Sequence, residues 1–134
     1  LTVRGHIQGK DGIYAASLLV EMIATTGRRL SEIYSEITDR YGSCEMEECD
    51  FRFSQEVKDK ITEILLQDKR LPEFPYEIEK VSYMDGCKVY FKNKGWIIAR
   101  FSGTEPLLRI FCEMPTLEAA RETSDVLKQF LSLS

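Results

Sequence analysis

Four strand-like segments follow one another closely in the second half of the chain, at residues 78–84, 87–91, 96–101 and 107–113. Asp85-Gly86 separates the first pair, and Asn93-Lys94-Gly95 lies in the next connection. Connections this short join antiparallel strands, because a parallel pair needs a crossover of about a dozen residues or more. We therefore predict a mainly antiparallel sheet, with Asp85-Gly86 as a two-residue hairpin turn.

A strand and a helix precede this group of strands, and another helix follows it. Residues 49–53 alternate apolar and polar side chains, as a half-buried strand does. Ser54 is placed to cap a helix that ends near Asp68, and Pro115-Thr116 is placed to open the last helix. The order strand, helix, four strands, helix predicts an α+β fold, a two-layer domain whose helices cover one face of an antiparallel sheet.

The first third of the chain has a different pattern. Residues 11–26 predict a helix that Asp11 caps and Gly27 ends, and a short helix follows at about 31–41. The first helix is apolar almost all round, so we expect it to be buried on several sides, in a layer whose sheet is missing from this chain. We place the domain boundary near residues 42–46, which gives domains 1–43 and 44–134.

The composition excludes several classes of function. The chain has Lys+Arg 18 against Asp+Glu 22 and a net charge of -4, which argues against nucleic acid or an anionic membrane as its partner. It contains no apolar run of about 20 residues and no export signal, so we expect a cytoplasmic protein with no membrane partner. Residue 1 is Leu, and we expect the chain either to have lost a leader or to be cut from a longer protein.

The four cysteines form no metal-binding pattern. There is no C-x-x-C pair, and His6, the one histidine, is far from all of them in sequence. We expect no metal site and four reduced thiols that fill core or strand positions.

The loop between the last two predicted strands has the residue types that bind a phosphate. Its sequence, from Arg100 to Pro106, is Arg-Phe-Ser-Gly-Thr-Glu-Pro, and Arg109 follows shortly after. Two arginines can engage phosphate oxygens, Ser102 and Thr104 supply hydroxyl donors, and Gly103 permits close backbone approach and an unusual φ. The alternative is an ordinary turn in which Glu105 pairs with an arginine at the surface.

This loop resembles the phosphate-binding loop in the C-terminal domain of the α-D-phosphohexomutases, the phosphoglucomutase and phosphomannomutase superfamily. The resemblance implies that Arg100, Ser102, Gly103 and Thr104 hold the non-transferred phosphate of a hexose phosphate substrate. It implies that Glu105 and Arg109 shape the loop, with Arg109 as a further candidate contact. The family often has proline where this chain has Phe101, a side chain that we expect to point away from the anion.

A second match lies at residues 5–12, which contain His-Ile and then Lys-Asp-Gly. They resemble the start of a long helix in the third domain of phosphoglucomutases. The resemblance implies that Lys10 is a catalytic residue near the oxygen involved in phosphoryl transfer. The alternative is that Lys10 is a solvated charge beside the Asp11 cap. His6 receives no assigned role.

The same resemblance implies the rest of the reaction. A phosphoserine enzyme with Mg²⁺ would interconvert hexose 1-phosphate and hexose 6-phosphate through a hexose 1,6-bisphosphate, and the sugar could be glucose, mannose or glucosamine. The family's serine loop, its metal-binding loop and its sugar loop do not occur in this chain. We therefore expect the chain to need missing upstream domains as partners and to be inactive alone. The implied fold is the family's TATA-box-binding-protein-like domain 4, preceded by helices from the end of an α/β domain 3. The alternative is a non-catalytic anion-binding or protein-interaction module.

Overall fold

The computed structural model describes residues 4–7 and 9–133. It divides into two compact units, Leu1–Ser43 and Cys44–Ser134. In the described part of the chain, no helix combines the length and the apolar character that crossing a bilayer requires.

The first unit contains two helices, α1 (Gly12–Thr26) and α2 (Leu30–Tyr41). Asp11 caps α1, since its Oδ1 accepts a hydrogen bond of 2.9 Å from the Tyr14 N–H. Gly27 ends the helix in the left-handed conformation, with φ 65, and its N–H donates to the Ile23 carbonyl. Both predicted helix ends are confirmed.

Neither helix of the first unit has a buried residue. Ile13 and Val20 of α1 are 84% and 66% exposed. Within the described residues α1 is therefore not buried, and its expected burial, in a layer whose sheet is missing from this chain, stays a prediction. The physical reason is that the described part of this unit holds no strand, so no sheet of its own covers the helix.

The second unit has five strands and two helices. In chain order these are β1 (Glu45–Arg52), α3 (Gln55–Thr62), β2 (Ile78–Ser82), β3 (Cys87–Phe91), β4 (Trp96–Phe101), β5 (Leu107–Met114) and α4 (Leu117–Phe130). A π-helical turn, Glu63–Gln67, continues α3. The sheet order is β1-β5-β4-β3-β2, and every neighbouring pair is antiparallel. The predicted α+β order of elements is confirmed.

Alternate residues of the strands bury one face of this sheet. Phe91 and Ile110 are 0% exposed and pack in the same core as Ile61 of α3 and Leu127 of α4. The opposite face, which we call the open face, is half-exposed and carries Trp96, whose Nε1 donates to Glu113 at 3.0 Å. The helices thus cover one face only, as predicted, because only that face is apolar throughout.

The turn between β2 and β3 differs from the prediction. Ser82 pairs with Lys88, so the connection is longer than the two residues that we expected. Gly86 has φ 85 and an added Cβ there would lie 2.4 Å from the Ala99 carbonyl oxygen. A left-handed residue at the end of a longer hairpin loop is a common arrangement, and here only glycine fits.

The cysteine prediction is correct for three of the four residues. Cys87 and Cys112 are buried in strands, and burial raises the pKa of both thiols to about 11. Cys49 is half-buried in β1. Cys44 is exposed and lies just before β1, so the expectation of a core or strand position is wrong for it.

Phe91 is the residue whose truncation tests this core. The rings of Phe74 and Tyr76 meet it edge-on, with centroids 5.2 and 6.1 Å away. We expect Phe91→Ala to lower the free energy of unfolding by about 3–5 kcal/mol, through lost burial and the cavity left behind. Urea unfolding followed by Trp96 fluorescence measures this. Met84→Ala is the control, since Met84 is 96% exposed and its loss should matter by less than about 0.5 kcal/mol. Equal effects of the two variants would contradict the assigned core.

Candidate anion-binding site

Two arginines lie directly opposite each other beside the loop at residues 102–106. Arg100 of β4 and Arg109 of β5 are paired in the sheet register. Their chain neighbours Ala99, Leu108 and Ile110 are buried under the helices, so both arginine side chains belong to the open face. Like charges directly opposite on neighbouring strands are destabilising. The pair therefore needs negative charge close by.

Three carboxylates supply that negative charge. Arg100 Nη1 donates to Asp85 Oδ2 at 2.6 Å. Arg109 Nη2 lies 3.5 Å from Glu105 Oε2, and Arg109 Nε lies 3.8 Å from Asp50 Oδ1. The Arg109 Nε is buried and has no hydrogen-bond partner among the described residues. Arg109 is thus enclosed between two carboxylates, whereas one contact holds Arg100.

The loop itself is closed by short backbone hydrogen bonds. The Ser102 N–H donates to the Leu107 carbonyl at 2.8 Å, and the Leu107 N–H donates to the Glu105 carbonyl at 2.8 Å. The Ser102 Oγ accepts from the Thr104 N–H at 3.4 Å. Ser102 is half-buried, and Gly103, Thr104 and Glu105 are exposed. These bonds fix the path of the loop and leave its tip open to solvent.

Gly103 does not have the unusual φ that the sequence led us to expect. The φ angle of Gly103 is not positive, so the loop needs no left-handed residue at this position. An added Cβ at Gly103 would meet no heavy atom within 4 Å. Gly103 therefore leaves the backbone of the loop accessible and has no special conformation.

Phe101 faces away from the two arginines. Its ring packs edge-on against Phe53, with centroids 5.2 Å apart, at the margin of the core. The Phe53 N–H donates to the Pro106 carbonyl at 3.3 Å. Phe53, which lies between β1 and α3, thus supports the loop from the helix-covered side of the sheet.

Sequence reasoning missed three residues that the structure brings to this site. Asp85 comes from the β2–β3 turn, Asp50 pairs with Arg109 across the β1–β5 register, and Arg52 pairs with Leu107 on the same face. With Arg52 included, the arginines and carboxylates of the site balance in formal charge. Recognition of an anion here would depend on directed N–H and O–H donors more than on a net positive field.

Lys10 lies in the first unit, whereas the other six predicted site residues lie in the second. Lys10 is exposed and precedes α1. Its neighbour Asp11 accepts hydrogen bonds from the Tyr14 N–H and from His6 Nε2, the latter at 2.9 Å. The His6 ring stacks on Tyr14 with centroids 3.8 Å apart. These contacts give His6 a structural role at the start of the helix.

The described residues do not fit a magnesium site of their own. Among residues 4–7 and 9–133, no group of three or more His, Cys, Asp or Glu side chains is arranged to hold a metal ion. The carboxylates around Arg100 and Arg109 are instead engaged with the two guanidinium groups.

Comparison with known proteins identifies the family. A model of the phosphoglucomutase/phosphomannomutase C-terminal domain matches residues 54–129, which include the loop and both arginines. The chain belongs to this family. A model of alpha/beta/alpha domain III of phosphoglucomutase/phosphomannomutase matches residues 1–41. The resemblance drawn from the loop residues is confirmed.

Individual relatives agree with this assignment to the phosphoglucomutase/phosphomannomutase family. The chain is 32% identical over 116 residues to a phosphoglucomutase/phosphomannomutase of Thermococcus kodakarensis, covering 87% of this chain and 23% of the relative. It is 36% identical over 115 residues to a probable phosphoglucosamine mutase of Methanopyrus kandleri, which covers 86% of this chain and 23% of the relative. A phosphoglucosamine mutase of Streptococcus agalactiae is 35% identical over 109 residues, which cover 81% of this chain and 20% of the relative. The chain spans about a fifth of the length of these relatives.

The Asp11 contacts predict a pH dependence at the start of α1. The Tyr14 N–H, and then the His6 ring, lower the pKa of the Asp11 carboxyl below its usual value. A carboxylate with a lowered pKa stabilises the folded helix start above the ordinary aspartate pKa of about 4, and that contribution is lost as the pH falls through the lowered value. We expect the Tyr14 amide resonance to titrate below about pH 4.

Asp11→Asn is the matched control for this titration, because asparagine is an equally good cap that does not titrate. In that variant the low-pH shift of the Tyr14 amide should disappear. A Tyr14 amide that titrates at or above the ordinary aspartate pKa in the parent chain would contradict the assigned contacts.

Proposed function

We propose that this chain is the part of a phosphohexomutase that holds the non-transferred phosphate of a hexose phosphate. The observation that carries the proposal is the pair of arginines, Arg100 and Arg109, opposite each other on the open face beside an exposed Ser-Gly-Thr loop. Membership of the phosphoglucomutase/phosphomannomutase family supports it. Asp85, Asp50 and Glu105 already offset the repulsion between the two guanidinium groups, so a bound phosphate would be held by the guanidinium N–H groups that these carboxylates leave free.

Each residue of the loop has a proposed part in this binding. Arg100 would engage phosphate oxygens with the N–H groups that Asp85 leaves free, because a guanidinium offers several donors in a planar fork. The Ser102 and Thr104 hydroxyls would donate to the same phosphate, and Gly103 would let it approach the backbone. Glu105 would hold Arg109 in place, which suits a residue whose side chain is 32% exposed against 42% for Arg100.

The whole protein would be an intramolecular phosphotransferase that interconverts hexose 1-phosphate and hexose 6-phosphate. In this proposal a phosphoserine and the ligands of a Mg²⁺ ion belong to residues outside this chain, and a hexose 1,6-bisphosphate is the intermediate. Lys10 would act near the transferred phosphoryl group. Positioning of this kind contributes much of the catalysis in phosphoryl transfer. The chain alone would therefore bind a hexose phosphate without turning it over.

The proposal stops at hexose phosphates as a class. The names of these relatives include both phosphoglucomutase/phosphomannomutase and phosphoglucosamine mutase, so they do not agree on one sugar. The residues of the candidate site would contact a phosphate, which all of these sugars carry.

Titration of the isotope-labelled chain with glucose 1-phosphate tests the phosphate site. We expect the amide resonances of residues 102–105 to shift, and inorganic phosphate to shift the same amides. Arg100→Ala should weaken binding at least about tenfold, since a hydrogen bond between charged groups contributes about 1.5–3 kcal/mol. The spectrum of the remaining residues should be unchanged, because the Arg100 side chain is on the open face.

Lys92→Ala is the control for this experiment. It removes the same charge from an exposed ion pair with Glu77 that lies away from the loop. An equal loss of affinity in both variants would mean that phosphate responds only to net charge. No shift at residues 102–105 in the parent chain would contradict the proposed function.

A further inference from the structure

We propose that Asp85 is a positioning residue that orients the Arg100 guanidinium for phosphate binding. The proposal rests on the proposed function, because it assigns a partner to the arginine that would hold the phosphate. Asp85 lies in the β2–β3 turn. β3 neighbours β4 in the sheet, and Asp85 is not part of the loop motif at residues 100–106.

The contact between Asp85 and Arg100 is short and involves one end of the guanidinium. Arg100 Nη1 donates to Asp85 Oδ2 at 2.6 Å. The side chains are 42% and 71% exposed, and exposed ion pairs of this kind contribute little to stability. The contact instead restricts the long, flexible Arg100 side chain to one orientation, so that this side chain loses less conformational entropy when an anion binds.

The backbone of the turn fixes where Asp85 is presented. Gly86 has φ 85, and a Cβ added there would lie 2.4 Å from the Ala99 carbonyl oxygen and 2.6 Å from the Arg100 Cβ. The turn is thus packed directly on the backbone of Arg100, and Cys87, the next residue, pairs with Ala99. Asp85 is held beside Arg100 by this packing, and not only by the attraction of two opposite charges.

The opposite role for Asp85 would be competition, in which its carboxylate occupies the arginine and must leave before phosphate binds. The geometry favours positioning, because only Nη1 is engaged and the other N–H groups of the guanidinium stay available. The two roles predict opposite effects of removing the charge. Loss of a competing or merely nearby negative charge strengthens anion binding, whereas loss of a positioning contact weakens it.

The test is Asp85→Asn in the 134-residue chain, with glucose 1-phosphate and inorganic phosphate as probes. We expect the dissociation constant to rise about fivefold, because the Arg100 side chain would then lose its freedom only when the anion binds. The Arg100 Nε–H resonance should move toward the position of a freely rotating arginine. Asp85→Glu should recover part of both effects, because it restores the carboxylate.

Glu77→Gln is the matched control, since it removes the same charge from the exposed pair with Lys92 and should leave the affinity unchanged. Tighter or unchanged binding in Asp85→Asn would overturn the positioning role while leaving the proposed function intact. An unmoved Arg100 Nε–H resonance in Asp85→Asn would also overturn it. If the parent chain binds neither probe, the proposed function fails, and the positioning role fails with it.

Discussion

The candidate site depends on the antiparallel pairing of β4 with β5. That register sets Arg100 opposite Arg109, and it puts the connecting loop at the same edge of the sheet. The pairing of two like charges is unfavourable by itself. It is maintained because the other face of the same two strands carries Ile97, Ala99, Leu108 and Ile110, which are buried in the core. Burial on one face thus holds an unfavourable arrangement in place on the other.

The carboxylates around the arginines divide the two side chains between different roles. Glu105 and Asp50 flank Arg109, whose Nε is buried, so this side chain is part of the support of the loop. Among the described residues Arg100 has one carboxylate partner, Asp85, and its side chain is the more exposed of the two, at 42% against 32%. The difference follows from register: β1 places Asp50 beside Arg109, and the β2–β3 turn places Asp85 beside Arg100.

The two units differ in how their apolar residues are used. The second unit has a complete core between one sheet face and the helices α3 and α4. The first unit has two helices without a buried residue, of which α1 is capped by Asp11 and Gly27, and Ile13, Val20 and Tyr34 are exposed. Local sequence signals were sufficient to start and end those helices, because caps act within one turn. They carry no information on what the apolar faces contact.

The sequence by itself determined the order of the elements, the helix caps at Asp11, Ser54 and Thr116, and the residues of the loop. These depend on side chains a few residues apart, and the motif identified the family. Only the tertiary structure decided the longer β2–β3 turn, the ordinary φ of Gly103, and the positions of Asp85, Asp50 and Arg52 on the same face as the arginines. Strand register and turn packing join residues that are distant in the chain, and no local pattern encodes which of them will meet.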